Sequence, residues 1–251
     1  MTAKSQRLAW TFAAVAIAAG VSFPFLHGHA RDVAAMVVAW SGAAMALAHC
    51  AATRSRAASA GLLVVTAGLG LACDAASVRT GWPFGDITFS SSLGPRVLDV
   101  PISVTASWTL VAWLAFVVAL RLTRRARGAV VVGAWNLAAI HLFIDTQLAA
   151  DHNVVWKSHR FVLEGVPGVD YLGVFLAGLV MMALMWVVIP RPSPRRPDDR
   201  VVSVVFVGGF VGAVIAPVLV LHRPATGLAV AAALGVVAIP YAAAIAGFRL
   251  R

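Results

Sequence analysis

Residues 102–127 read ISVTASWTLVAWLAFVVALRLTRRAR, an apolar run from Ile102 to Leu122 that closes on four arginines, Arg121, Arg124, Arg125 and Arg127. About 20 such residues, coiled as a helix, cross a hydrocarbon core roughly 30 Å thick. A basic cluster at one end marks the side that faces the cytoplasm. Seven further runs have the same character: Leu8 to Leu26, Asp32 to Ala52, Ala57 to Ser77, Gly128 to Ala149, Tyr171 to Pro190, Val201 to Leu221 and Thr226 to Phe248. The chain is therefore expected to be all-α, a polytopic integral membrane bundle of about eight transmembrane helices.

Composition agrees. Of the 251 residues, 61% are hydrophobic and 12% are Asp, Glu, Lys or Arg, where soluble domains carry about half and a quarter. Mean hydropathy is +0.88. These values exclude disorder and a disulfide scaffold, since Cys50 and Cys73 are the only cysteines and both sit in apolar runs. A net charge of +10 would suggest nucleic acid in a soluble protein, so the placement of the basic residues decides its meaning.

When connections are assigned alternately to two sides, 14 of the 20 Lys and Arg fall on one side, together with both termini. That asymmetry predicts an even number of spans, both termini in the cytoplasm, and a multi-pass protein of the cell (plasma) membrane that does not bind nucleic acid. Lys4 and Arg7 before the first run also resemble a signal-peptide start, but no A-x-A site follows, and the run reads as a retained span. The stretch RPSPRRPDDR, residues 191–200, reads as a cytoplasmic linker between a six-span unit, 1–190, and two C-terminal spans, 201–251. The last two spans hold almost no ionisable residue, so the chemistry is expected in 1–190, with outer loops over 78–101 and 150–170.

Acidic residues show the reverse asymmetry. Only Asp198 and Asp199 lie on the basic side, while Asp74 and Asp145 fall inside the third and fifth runs. An ionisable group in a span costs roughly 2.5–3.5 kcal/mol on insertion scales and usually faces a cavity or a partner. At about 1.5 Å per residue, Asp74 lies roughly 26 Å from Ala57 and Asp145 roughly 26 Å from Gly128, so the two share a level near the outer boundary. Either they snorkel to the interface, or they meet in a partly dry cavity and hold one proton between them, which provides an acid. His141, four residues before Asp145, shares its helix face and is expected to orient it. His141 with Asp145, and His27 with His29, have metal-ligand spacing, but no HExxH or Cys-His cluster accompanies them and no metal is expected.

Between the third and fourth runs lies TGWPFGDITFSSSLGPRVLDVP, Thr80 to Pro101. Its Gly, Pro and aromatic residues suit either an interfacial belt, with Trp82, Phe84 and Phe89 at headgroup level, or a lid folded back on the helix ends. The second outer connection, Asp151 to Asp170, carries Trp156, Lys157, His159, Arg160, Glu164 and Gly165-Val166-Pro167.

This order of features resembles the integral-membrane carotenoid biosynthesis family of carotenoid 1,2-hydratase type. The family has an acid near the end of a span, a TGWPYGE-like stretch, an LGP, and a VP that opens the next helix. Here these are Asp74, Thr80 to Asp86, Leu93-Gly94-Pro95 and Val100-Pro101. It then has an acid in an LDP-like context, a loop Trp, GVP, an Asn and a Gly-Trp, matched by Ile144-Asp145-Thr146, Trp156, Gly165-Val166-Pro167, Asp170 and Gly173-Val174. The sequence departs from the pattern in having Asp for Glu at 74, Asp for Asn at 170 and Val for Trp at 174.

The resemblance implies addition of water across the terminal isopropylidene double bond of a long acyclic carotenoid. Such chemistry needs a dry acid, a wall that tolerates a tertiary cation, and a positioned water. Asp74 or Asp145 is the expected acid, Trp82, Phe84, Trp108 and Trp156 the expected ring faces, and Asp86 the group that orients the water, with Asp170 as the alternative. No metal, nucleotide or flavin is expected. The expected partners are the lipid-soluble carotenoid, membrane lipid and other membrane enzymes of the carotenoid pathway. Paired membrane acids with a nearby His also suit another isoprenoid end-group enzyme or a proton-coupled transporter.

Overall fold

The computed structural model describes residues 3–157, 160, 162–191 and 198–247. Most of the 191–200 linker, with Arg195 and Arg196, lies outside the described residues, as do His159, Arg249 and Arg251. Among the described residues, eight helices are long and apolar enough to cross a membrane. They are α1 (Ala3–Ser22), α2 (His29–Thr53), α3 (Arg56–Thr80), α4 (Ile102–Leu122), α5 (Ala126–Ala150), α6 (Gly168–Val188), α7 (Arg200–Leu219) and α8 (Pro224–Ile245). The first stops short of Leu26 because Pro24 falls in the 3-10 turn Phe23–Phe25 and cannot continue an α-helix.

Contacts at the two ends fix the up-and-down order. On one face, Arg31 at the start of α2 meets Asp151 just past α5, and Arg223 before α8 meets Glu164 before α6. On the other, His49 near the end of α2 accepts an indole N–H from Trp113 and bonds the Asp198 carbonyl ahead of α7 at 3.0 Å. The connections thus alternate between faces.

The run that opened the sequence analysis becomes the central helix. α4 packs against α2, α3, α5, α6, α7 and α8, and its apolar residues are buried on every side from Trp108 to Ala119, as a helix without a polar face must be. The segments 1–190 and 201–251 join here, since α8 packs on α4 and α5 and α7 on α1 and α4. Glycines set the close approaches: a Cβ on Gly61 would strike Val188, one on Gly133 would strike Met182, and Gly178 rests on Ala134. Helix packing accounts for these small residues.

The all-α expectation holds, and the outer loops add two short strand pairs to it. β1 (Ile87–Phe89) pairs antiparallel with β4 (Val154–Trp156), Ile87 opposite Trp156 and Phe89 opposite Val154. β2 (Arg96–Val97) and β3 (Val100–Pro101) form a second small pair. The two outer connections are therefore one structure. Side chains alternate across a strand, so Ile87, Phe89, Val154 and Trp156 point inward and are buried, while Thr88 and Val155 point away and are exposed. Asn153 locks the ladder: its carbonyl accepts from Ser90 N at 2.9 Å, and its amide donates to Asp32 Oδ1 at 2.7 Å.

Candidate active site

Beneath this lid, α3, α4, α5 and α6 enclose a cavity of about 40 Å³. At roughly 10–15 Å³ per water site, that is room for a few waters. α3 and α5 stand diagonally, each packed against both α4 and α6, and Asp74 and Asp145 both face the cavity between them. Both carboxyls are buried, 4% and 8% exposed, which excludes the snorkelling reading.

Each polar wall residue has a local reason for its place. α3 is capped at its start by Ser55, whose Oγ accepts from Ala58 N at 2.9 Å. It ends where Gly81 takes the left-handed conformation, φ 74°, and donates to Ser77 O at 2.9 Å. The chain reverses there, and Ser77 Oγ catches Phe84 N at 2.9 Å, which draws the Phe84 ring over the cavity. Trp108 of α4 donates its indole N–H to Asp74 Oδ2 at 2.9 Å. Its ring contacts two others, Phe84 at 5.7 Å and 22° and His141 at 4.5 Å and 36° between centroids and planes. All three rings line the cavity.

A third acid, Asp170, lines the same cavity as Asp74 and Asp145. α6 starts at Gly168, after Pro167 has set the extended entrance, so Asp170 belongs to the first turn of a span and not to the outer loop. α5 and α6 are packed along their length, and they bring the buried Asp145 and Asp170 carboxyls into the wall of one cavity. Among the described residues no N–H or O–H reaches Asp145 Oδ2 or Asp170 Oδ2. A single acid proton held between the two carboxyls would serve these oxygens. Trp156 of β4 donates to Asp170 Oδ1 at 3.3 Å.

Three expected site residues lie elsewhere or act differently. Asp86 is outside the cavity, in an exposed ion pair with Lys157 Nζ at 2.9 Å, because the alternation that turns Ile87 inward turns its neighbour out. Trp82 is 69% exposed and off the cavity, while Phe84, two residues on, is 2% exposed and in its wall. The aromatic loop thus turns Phe84 and Phe89 to the cavity and Trp82 to the surface. His141 does not orient Asp145. Its Nδ1 bonds Leu137 O at 3.0 Å, and since a carbonyl only accepts, Nδ1 carries the hydrogen and Nε2 keeps its lone pair.

The sequence reading missed other wall residues. Ile87, Phe89 and Val154 reach the cavity through the strand pairing, and Val174 through the turn of α6 that follows Asp170. Val174 is the position where the resemblance has Trp. No group of three or more His, Cys, Asp or Glu with metal-holding geometry occurs among the described residues.

The comparisons with known proteins fit this architecture. The chain matches the family described as "Carotenoid biosynthesis protein" over residues 33–240, which runs from α2 into α8 and includes both lid connections. It is 30% identical over 146 residues to the bisanhydrobacterioruberin hydratase of Haloarcula japonica, a match that takes in 53% of this chain and 49% of that relative. The chain thus matches about half the length of that curated relative. No solved structure matches it. The family match spans the site and most of the bundle around it, and the chain belongs to the carotenoid biosynthesis protein family.

Proposed function

We propose that this protein adds water to the terminal isopropylidene double bond of an acyclic carotenoid, giving a tertiary alcohol. The observation that carries the reading is the Asp145–Asp170 pair, two buried carboxyls that line one cavity walled by aromatic rings and can hold one hydrogen between them. The alkene π pair takes that hydrogen as a proton at its less substituted carbon, forming the C–H bond and leaving a tertiary cation on the other carbon. Phe84, Trp108 and His141 line the wall beside the cation, and a Phe or Trp ring facing it is worth about 0.5–2 kcal/mol. A cavity water attacks the cation, forming the C–O bond, and its surplus proton passes to Asp74, whose carboxylate Trp108 holds in place. Proton exchange through the cavity waters returns the acid pair to its starting state. The sequence balances with water and alkene alone, so the reading assigns no cofactor.

The polyene body is placed between helices in the hydrocarbon, with its end at the level of the acids. The cavity holds a few waters but not a branched hydrocarbon end, so the lid must lift for substrate to bind. The lid face is assigned to the outside and the termini to the cytoplasm of the cell membrane, on the basic residues gathered at the opposite face.

Production of the chain in cells that make an acyclic carotenoid tests the proposal. The pigment should gain the mass of one water per modified end, and Asp145→Asn and Asp170→Asn should return it unmodified while remaining in the membrane. Hydrated pigment from both variants at the parental level would overturn the assignment.

A further inference from the structure

No residue of α7 or α8 lines the cavity, yet a polar joint ties the start of α8 to the segments that carry the acids. Arg223, just before α8, lies with Nε 3.8 Å from Glu164 Oε2, and the backbone N–H of Thr226 in the first turn of α8 donates to Glu164 Oε1 at 3.3 Å. Arg223 Nη1 also donates to Gln147 Oε1 at 3.5 Å, where Arg31 Nη2 of α2 meets the same oxygen at 3.3 Å. The two ends of this joint are close in sequence to the two acids. Gln147 follows Asp145 on the last turns of α5, and Glu164 stands in the short bridged turn, Leu163 to Val166, that delivers the chain to Pro167 and Asp170. The joint is sheltered: the Arg223 and Glu164 side chains are only 26% and 22% exposed.

We propose that Arg223 is a positioning residue for the acid pair. Through Gln147 it holds the end of α5, and through Glu164 it holds the turn that starts α6, so one guanidinium sets the spacing of Asp145 and Asp170. This rests on the hydration reading above and gives α7 and α8 a part in it: they anchor the clamp from outside the six helices and loops of the site. A guanidinium suits the task because its planar fork serves two acceptors at once.

A double-mutant cycle on the purified full chain tests the clamp, with hydration of an acyclic carotenoid in liposomes followed per folded molecule. Arg223→Gln and Glu164→Gln should each lower turnover about tenfold with KM changed less than about twofold, because polyene binding is distant from the joint. The double variant should be no worse than the weaker single, as expected of two halves of one device, and Arg223→Lys should recover part of the loss. A role confined to bundle stability would lower the yield of folded protein but leave turnover per folded molecule at the parental value, and that result overturns the clamp. Independent, multiplying losses overturn it as well. Asp145→Asn and Asp170→Asn run alongside. Inactive acid variants beside fully active clamp variants refute the clamp alone, whereas fully active acid variants refute the site and the clamp together.

Discussion

Trp108 gives its indole N–H to Asp74 at 2.9 Å while its ring lies 4.5 Å from that of His141. One side chain therefore serves both halves of the proposed chemistry, holding the base and facing the cation. The two duties separate by substitution. Trp108→Phe keeps a ring and loses the N–H, and hydrogen bonds to charged groups contribute about 1.5–3 kcal/mol. Turnover should fall by about ten- to a hundredfold. Trp108→Leu removes the ring as well and should fall further. Equal activity of the two variants would show that the ring carries nothing.

The roles given to the acids predict different products. Without its proton donor the site makes no cation, so Asp145→Asn and Asp170→Asn should leave the pigment untouched. Asp74→Asn still allows protonation but slows capture of the cation by water. The cation can then lose a neighbouring proton, and the expected product is a carotenoid of unchanged mass with a displaced double bond. Chromatography against the parental pigment distinguishes the three cases, and clean alcohol from Asp74→Asn at the parental rate would move the base elsewhere.

The reach of the sequence is clearest at the acids themselves. Asp74 and Asp145 could be set at one level because α3 and α5 run in the same direction and a helix rises uniformly. Asp170 could not, because α6 runs the other way and its first turn had to be located before depth could be counted. Pro167 at its N-cap was the usable signal, since proline favours the start of a helix and the residues before it stay extended. The β1–β4 ladder was less legible. Three-residue strands from distant loops carry little local signal, although ITF and VVW are rich in residues that favour strands. Without that pairing, nothing in the sequence says that Ile87 faces the cavity and Asp86 the solvent, or that Phe84 is covered and Trp82 is not.

On the opposite face, Asp199 gives a stability effect with a definite sign. Burial holds its carboxyl up at about 6 against an ordinary 3.8, with Arg54 and Arg121 opposing that rise. The folded protein therefore retains a proton that the unfolded chain loses between those values. The stabilisation is complete below about pH 4 and is lost as pH rises through about 6. Asp199→Asn mimics the protonated acid. Its thermal midpoint should match that of the parent near pH 4 and exceed it at pH 7.5. A parent that gains on the variant as pH rises would reverse the sign and show that Arg54 outweighs burial.

Gly173 tests whether the lid is part of the catalytic machinery. It faces the backbone of Pro83 so closely that a Cβ would collide with the Pro83 carbonyl and lie 2.9 Å from Phe84 Cδ1. Backbone cannot give way as the tip of a side chain can, so Gly173→Ala must lift the segment that carries Phe84. Gly173 is also one turn beyond Asp170 on α6, so the variant disturbs the seat of the lid while leaving the acid on its helix. Three substitutions then form a series. Trp82→Leu alters only an exposed ring and should leave turnover per folded molecule nearly unchanged. Phe84→Leu removes a cation-facing ring and should cost about tenfold, the equivalent of roughly 1.4 kcal/mol in the transition state. Gly173→Ala displaces the same ring together with the turn that leads into β1, so it should cost at least as much and should also speed amide exchange across Ile87 to Phe89 and Val154 to Trp156. Parental turnover in Gly173→Ala with that ladder exchanging faster would show that the lid only covers the site, and would leave the rings of α4 and α5 as the whole of the cation wall.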